Sequence, residues 1–208
     1  MEQIEINKTI KLSEHYTLGE MTKTSTGMMN IPSRVSIENL KRVCGWLEAL
    51  RCRYNQRYVL GGSRSSPKLG EDRRGLNERQ VSPSSDHPEV TAAPSSDHPA
   101  HPGTPPDSGG EKDTEEPIII SSGYRSPEVN RRVGGSATSN HLTGCAVDIR
   151  VAGIEQALRY AVILMDYADE TRQDYDELLI ERNRSGRYWV HFAVRPKDNR
   201  RKTRFIDC

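Results

Sequence analysis

Residues 121–151, SSGYRSPEVNRRVGGSATSNHLTGCAVDIRV, decide the fold of this chain. They contain His141 and Asp148, and a second histidine, His191, follows in the later run YWVHFAV. Two imidazoles and one carboxylate are a suitable ligand set for a zinc ion that keeps a fourth position open for water. Such a set is typical of catalytic zinc sites, whereas structural sites are closed by four protein ligands. The sequence therefore predicts that His141, Asp148 and His191 hold a catalytic metal ion.

The spacing of these residues indicates loops and strands. His141 and Asp148 are seven positions apart, which does not suit one face of a helix but fits a loop that leads through Gly144 into a strand. Residues 146–151 alternate, so Asp148 should point away from the side taken by the valines and the isoleucine. Residues 188–194 are rich in aromatic and β-branched residues and predict a second strand, which carries His191. A single histidine is more often an ordinary core or surface residue, but the three residues together favour a metal site.

The segment closely resembles the D-alanyl-D-alanine peptidase family of zinc enzymes, whose fold is shared with the Hedgehog signalling domain. The family signature (serine, any, histidine, two any, glycine, any, alanine, any, aspartate) is met in full at residues 139–148. Upstream, residues 122–126 (SGYRS), with the later pair Val129-Asn130, match the arginine-bearing turn of the family. Residues 189–191 (WVH) match the segment of its third ligand. A match in several parts is far more specific than one short motif.

The resemblance implies an α+β fold, with helices packed on a small antiparallel sheet, and one zinc ion per chain. It implies a peptidase that hydrolyses peptide bonds in peptidoglycan stem peptides or in D-Ala-containing fragments. The arginine that matches Arg125 binds and polarises the substrate in the family, and the serine that matches Ser139 contacts it. Because the fold alone does not determine activity, a non-catalytic, zinc-stabilised binding module remains the alternative.

The general base is the least complete part of the resemblance. Several family members carry an acidic residue three positions before the final histidine, where this chain has Tyr188. The nearest acidic candidate is Glu181, at the end of the preceding predicted strand. If Glu181 pairs with Trp189 or with Arg187, it shares a face with His191, because side chains two apart point the same way. A symmetric four-residue turn over residues 183–186 would instead pair it with Tyr188 and turn it away, so the prediction requires a loop of odd length or a bulge.

The composition changes within the chain. Residues 61–116 contain eight of the 12 prolines and neither an aromatic residue nor a cysteine, and they repeat the pentapeptide SSDHP. Such a segment cannot bury enough apolar surface to offset the entropy of ordering it. We therefore predict one discontinuous domain, residues 1–60 and 117–208, interrupted by a disordered insert at 61–116.

Four further elements are predicted around the central stretch. The apolar run at residues 117–122 indicates a buried strand, and Ser126-Pro127 indicates the start of a helix. Residues 154–169 indicate a longer helix, whose inward residues would be Ala157, Leu158, Ala161, Val162, Met165 and Ala168. The run of basic residues at 195–204 predicts a solvated tail.

Charge and hydropathy exclude several classes of protein. The formal net charge of +1 argues against a nucleic-acid partner. No apolar run approaches the length of a membrane span, and the N-terminus lacks the pattern of a secretory signal. From these observations we expect a cytoplasmic monomer that acts on a peptide, or a phage-type lysin that reaches the cell wall through a lesion in the membrane.

Overall fold

Helices and a five-stranded sheet make up the described part of the chain, which comprises residues 7–60 and 115–207 of a computed structural model. The predicted insert lies outside the described residues, except for Glu115 and Glu116. Within the described ranges, no helix is long and apolar enough to cross a membrane. The elements are α1 (Leu18–Met21), α2 (Arg34–Tyr54), a π-helical turn (Asn55–Val59), β1 (Ile120–Ser122), α3 (Pro127–Arg132), a 3₁₀ turn (Asn140–Thr143), β2 (Ala146–Arg150), α4 (Ile154–Thr171), β3 (Glu177–Arg182), β4 (Tyr188–Ala193) and β5 (Lys202–Asp207).

The sheet has the strand order β1-β2-β4-β3-β5. The first three pairings are antiparallel, as expected, but β5 runs parallel to β3. The mixture of helices and a small sheet confirms the α+β class, whereas the expectation of a purely antiparallel sheet is wrong. Strand β4 ends beside the start of β3, and the chain then crosses to the other side of β3. Strand β5 begins there and runs in the same direction as β3, so this pair is parallel.

Helices α2 and α4 cover one face of the sheet. Helix α2 begins after Ser33, whose side chain accepts a hydrogen bond from the Ser36 N–H and so satisfies one free donor of the first turn. Its apolar side packs into the core that includes Phe192 of β4, and the Trp46 ring lies 5.3 Å from the Phe192 ring. Because both helices occupy this face, the other face of the sheet is left for the predicted metal ligands.

The inward face of α4 differs in part from the predicted one. Leu158 and Val162 are 50% and 45% exposed, whereas Tyr160, Ile163 and Leu164 are buried. Both assignments follow a helical repeat, but the buried stripe is rotated around the helix relative to the predicted one. The aromatic ring of Tyr160 packs edge-on against Tyr54 of α2, with ring centres 4.9 Å apart, and this contact fixes the rotation.

The apolar run before the SGYR turn is not a fully buried strand. Only Ile120–Ser122 form β1, which lies at the edge of the sheet beside β2. Ile118 is buried, but the next residue, Ile119, is 46% exposed. Ile118 and Ile119 lie just before β1 at the edge of the sheet, where one side of the chain faces the core and the other faces solvent.

The C-terminal basic segment is not a solvated tail. Lys202–Asp207 form β5, and two arginines that precede it bind the fully buried carboxylate of Asp176. Arg195 and Arg200 each place a guanidinium nitrogen within 2.8 Å of that carboxylate, and Asn140 donates a further hydrogen bond of 2.8 Å. The segment is therefore part of the folded domain, and it connects the start of β3 to the turn that carries His141.

Hydrogen bonds join the two sides of the interruption in the domain. The amide side chain of Asn55 accepts from the Glu116 N–H at 2.6 Å and donates to the Glu116 carbonyl at 3.0 Å. Gln156 of α4 donates to the Glu116 carboxylate at 2.9 Å. The chain thus leaves and re-enters the domain at neighbouring points, and Glu116 belongs to the folded part.

Candidate metal centre and cleft

His141 lies on the 3₁₀ turn, which forms part of the loop that the sequence indicated between His141 and the strand of Asp148. Ser139 precedes this turn, and its hydroxyl accepts a hydrogen bond of 3.3 Å from the His141 N–H. Gly144 ends the turn with φ 73°, and a Cβ atom there would lie 2.4 Å from the Ser36 carbonyl oxygen of α2. Glycine is therefore required at this position both for its backbone conformation and for the close approach of α2.

Asp148 and His191 are direct neighbours across the β2–β4 pair. Residues that pair directly share a face of the sheet, and here it is the face opposite the helices. The buried residues Val147 and Ile149 point into the helical core instead, as the alternation of residues 146–151 predicted. Two of the three predicted ligands are thus fixed by strand register, and the third is brought to them by the 3₁₀ turn.

The three predicted ligand residues converge. His141 Nε2 lies 3.2 Å from Asp148 Oδ1 and 3.3 Å from His191 Nδ1, and His191 Nδ1 lies 2.9 Å from Asp148 Oδ1. Ligand atoms held tetrahedrally at the distances of about 2.0–2.2 Å usual for zinc would be roughly 3.3–3.6 Å apart. The observed separations are close to this range, and all three side chains are buried. The donor set and its spacing therefore fit a zinc ion.

Neighbouring groups orient each of these side chains. The Gly123 carbonyl lies 2.6 Å from His141 Nδ1, which leaves Nε2 directed at the cluster. Arg125 binds Asp148 Oδ2 and donates from Nε to the Ser122 hydroxyl at 2.8 Å, which leaves Oδ1 of the aspartate directed at the histidines. Such partners fix the tautomer and orientation of metal ligands. In this structure the guanidinium of Arg125 is thus engaged with a predicted ligand.

The electrostatics of the cluster favour a protonated His191 beside an ionised Asp148 when no metal is bound. Burial opposes charge on His191, but its hydrogen bond to Asp148 and the nearby Glu177 carboxylate outweigh burial and raise the pKa of His191 to about 9. Burial also acts to raise the pKa of Asp148, yet the two histidines hold it well below its usual range. A cation therefore suits this position, either as a proton or as a metal ion.

Glu181 lies on the same face of the sheet as His191. It pairs with Trp189, and Leu179, two residues earlier, pairs with His191. The hairpin loop comprises residues 183–187, an odd number, because Arg182 pairs with Tyr188. Burial, together with the charge of Asp148, raises the pKa of the Glu181 carboxyl. This register is the one that the general-base hypothesis required.

An open cleft of about 500 Å³ extends along this face. Its wall includes Ser139, Glu181 and His191, so two predicted functional residues and one predicted ligand border the same space. The sequence reasoning missed Glu177, which also lines the cleft and lies 3.7 Å from His191 Nε2. The signal was available, since Glu177 precedes Glu181 by four positions and residues at even spacing on a strand share a face.

Comparison with known proteins gives one finding about the family. A family model described as Peptidase M15 matches residues 111–175, less than half of the chain. Over this stretch the chain is similar to M15 peptidases. The stretch includes Arg125, Ser139, His141 and Asp148, whereas His191 lies beyond it. The match, together with the His-Asp-His cluster, supports a zinc-dependent metallopeptidase. No curated protein matches the chain.

Proposed function

We propose that this chain is a zinc-dependent peptidase of the Hedgehog/DD-peptidase fold that hydrolyses peptide bonds in peptidoglycan stem peptides or D-Ala-containing fragments. One observation carries the proposal: the buried cluster of His141, Asp148 and His191 lies on the same sheet face as Glu181, and His191 and Glu181 border one open cleft. The match to M15 peptidases and the full signature at residues 139–148 support it.

Three protein ligands would leave a fourth coordination position for water. His141 Nε2, His191 Nδ1 and one oxygen of Asp148 would hold the ion, which would polarise the scissile carbonyl and lower the pKa of a coordinated water. Arg125 keeps the second oxygen of Asp148 occupied, so this carboxylate presents a single oxygen to the cluster.

Glu181 is the proposed general base. Its carboxylate forms no ion pair within the described residues, and burial raises its pKa towards the range in which a carboxylate accepts a proton readily. A Glu181 oxygen would take a proton from the attacking water and deliver it to the leaving amine nitrogen. Water thereby adds across the C–N bond, which gives one carboxylic acid and one amine.

Ser139 and Arg125 are the proposed substrate contacts. Ser139 lines the cleft beside the His141 turn, where its hydroxyl can donate to a peptide carbonyl. Arg125 uses Nε and one terminal nitrogen for Ser122 and Asp148, so further N–H donors of its guanidinium are available for a substrate oxygen.

The test is to incubate zinc-loaded protein with defined stem peptides and to read the products by mass spectrometry. Wild type should release a product at one bond, and Glu181→Gln should keep its zinc and lose hydrolysis. Full turnover by Glu181→Gln would exclude Glu181 as the base. If wild type holds zinc and binds the peptides but cleaves none of them, the protein is a binding module and the proposed activity is wrong.

A further inference from the structure

The C-terminal strand β5 brings two cations to the face of the sheet that carries His191. Lys202 pairs with Glu177, and Arg204 pairs with Leu179, which in turn pairs with His191. Directly paired residues share a face, so Arg204 belongs to the same row of side chains as His191, two strands away. Strands in a sheet are about 4.8 Å apart, which separates these two Cα atoms by roughly 10 Å.

Positive charge exceeds negative charge at this end of the cleft. Lys202 Nζ lies 2.9 Å from Glu177, and Arg200 contacts both Asp176 at 2.7 Å and Glu177 at 3.1 Å. Arg195 also binds Asp176, so three cations are shared between two carboxylates. Arg204, which forms no ion pair within the described ranges, adds a fourth cation on this face, and Glu181 adds a third carboxylate. One positive charge therefore remains in excess. An anion placed here would meet an excess of donors.

The space between the predicted metal site and these cations is suited to a peptide. The open cleft of about 500 Å³ is lined by His191, Leu179 and Lys202, so it extends from the predicted metal site to the start of β5. An extended peptide advances about 3.3 Å per residue, so one to three residues span the gap once the reach of the arginine side chain is included.

We propose that Lys202 and Arg204 form a subsite for a carboxylate carried by the peptide substrate, one to three residues from the bond that is cleaved. The subsite rests on the proposed peptidase function and deepens it, because it makes the substrate an acidic peptide. Lys202 uses one of its three donors for Glu177, and the fork of Arg204 matches the geometry of a carboxylate. The carboxylate can come from a free C-terminus or from an acidic side chain.

Binding measurements with four versions of one stem peptide test the subsite. The versions combine a free or amidated C-terminus with a glutamate or a glutamine side chain, so they identify which carboxylate is recognised. Calorimetry measures the affinities of these peptides for the zinc-loaded Glu181→Gln protein. This variant lacks the proposed base, so it should bind the peptides without cleaving them. At least one carboxylate should strengthen binding by about tenfold or more over its amide, the scale of a charge-assisted hydrogen bond.

Substitutions in β5 then show which side chains cause the preference for the acid. In the same background, Arg204→Gln and Lys202→Gln should each reduce the preference for the acid several-fold, and Arg204→Lys should restore part of it. Arg172→Gln is the matched control, since it removes one positive charge from an exposed residue after α4, in the helical layer, and should leave the preference unchanged.

Two readouts separate the subsite from the activity. Equal binding of acid and amide, absence of binding by every version, or an unchanged preference in both β5 variants would overturn the subsite. Hydrolysis by wild type without preference for an acid would overturn the subsite alone. A clear acid preference in a protein that cleaves none of the peptides would contradict the peptidase and leave the subsite standing.

Discussion

Asp148 of β2 pairs directly with His191 of β4, and the Oδ1 and Nδ1 atoms of these two residues lie 2.9 Å apart. Because the pair is set by strand register, two of the three predicted ligands are placed before any metal binds. His141 completes the group from the 3₁₀ turn, and Gly123 holds its ring in position. A site that is arranged in this way loses little conformational freedom when an ion enters.

The first prediction concerns metal content. Elemental analysis of wild-type protein should give about one zinc ion per chain. The bonds from the ion to nitrogen and oxygen should be about 2.0–2.2 Å long. His141→Ala or His191→Ala should lower the content sharply, because each removes one of three ligands. His15→Ala is the control, since this half-exposed histidine pairs with Glu48 in the N-terminal segment. Folded wild-type protein that takes up no zinc from a saturating solution would contradict the predicted site.

The second prediction concerns protons released when zinc binds. The pKa of His191 in the metal-free protein is raised to about 9, so its imidazole is protonated at pH 7, whereas a zinc ligand must be neutral. Each zinc ion should therefore displace about one proton from His191 at pH 7. Calorimetry in two buffers of different ionisation enthalpy measures this number. At pH 10 the release from His191 should fall to about a tenth of a proton, and an equal release at both pH values would contradict the assignment.

The raised pKa of His191 also predicts how the stability of the metal-free protein depends on pH. A histidine whose pKa is higher in the folded state contributes stability that is fully present below its unfolded value of about 6.5 and is lost as the pH rises through about 9. Metal-free wild type should thus lose stability between these values, measured by urea unfolding. His191→Gln should show a weaker dependence over the same interval.

The third prediction concerns Asp176. Its carboxylate is fully buried and bound by Arg195, Arg200 and Asn140, so Asp176→Asn should lower the free energy of unfolding by roughly 2–3 kcal/mol. This is less than for a fully buried ion pair, because Arg200 is half exposed. Asp174→Asn, at an exposed partner of Arg201, is the control and should cost less than about 1 kcal/mol.

The stability that Asp176 contributes should decrease at low pH. Burial acts to raise the pKa of Asp176, but its hydrogen bonds from Arg200 and Asn140 and the charge of Arg195 outweigh burial and lower it. The stability that it contributes is therefore present above its usual pKa and is lost as the pH falls through the lowered value. The difference between wild type and Asp176→Asn should shrink in acid, and a constant difference would show that the carboxylate charge is not responsible.

The local parts of this fold could be predicted from the sequence, because their causes are local. The helix cap at Ser126 depends on neighbouring residues alone, as does the strand parity that places Asp148 and His191 on one face. The face of Glu181 could be predicted only as a condition on the length of the hairpin loop, since one residue more or less reverses it.

Long-range contacts account for what the sequence reasoning missed. Arg200 and Asp176 are 24 residues apart, and nothing in the basic run at 195–204 indicates that a buried carboxylate would bind it. The parallel pairing of β5 with β3 likewise depends on where a connection crosses the sheet. The exposure of Leu158 depends on the rotation of α4 against α2, which its own periodicity left open.

The fourth prediction concerns the interruption at residues 61–116. Replacing residues 61–114 by a short Gly/Ser linker should leave folding and zinc content intact and Tm within a few degrees, because closure entropy changes by only about 1–2 kcal/mol with the length of a connection. A linker that also removes Glu115 and Glu116 is the informative comparison, since it deletes the hydrogen bonds to Asn55 and Gln156. If the shorter deletion prevents folding, the segment is needed by the domain.

The contact between Asn55 and Glu116 has a consequence for how this protein can vary. Two hydrogen bonds hold the ends of the interruption side by side, so the domain can close independently of what is inserted between them. All three predicted ligands follow this point in the chain, whereas α2, whose Ser36 carbonyl faces Gly144, precedes it. The junction therefore holds the domain together at the point where the interruption is inserted. A different segment can therefore be inserted at this point without changing the part of the chain that carries the predicted ligands.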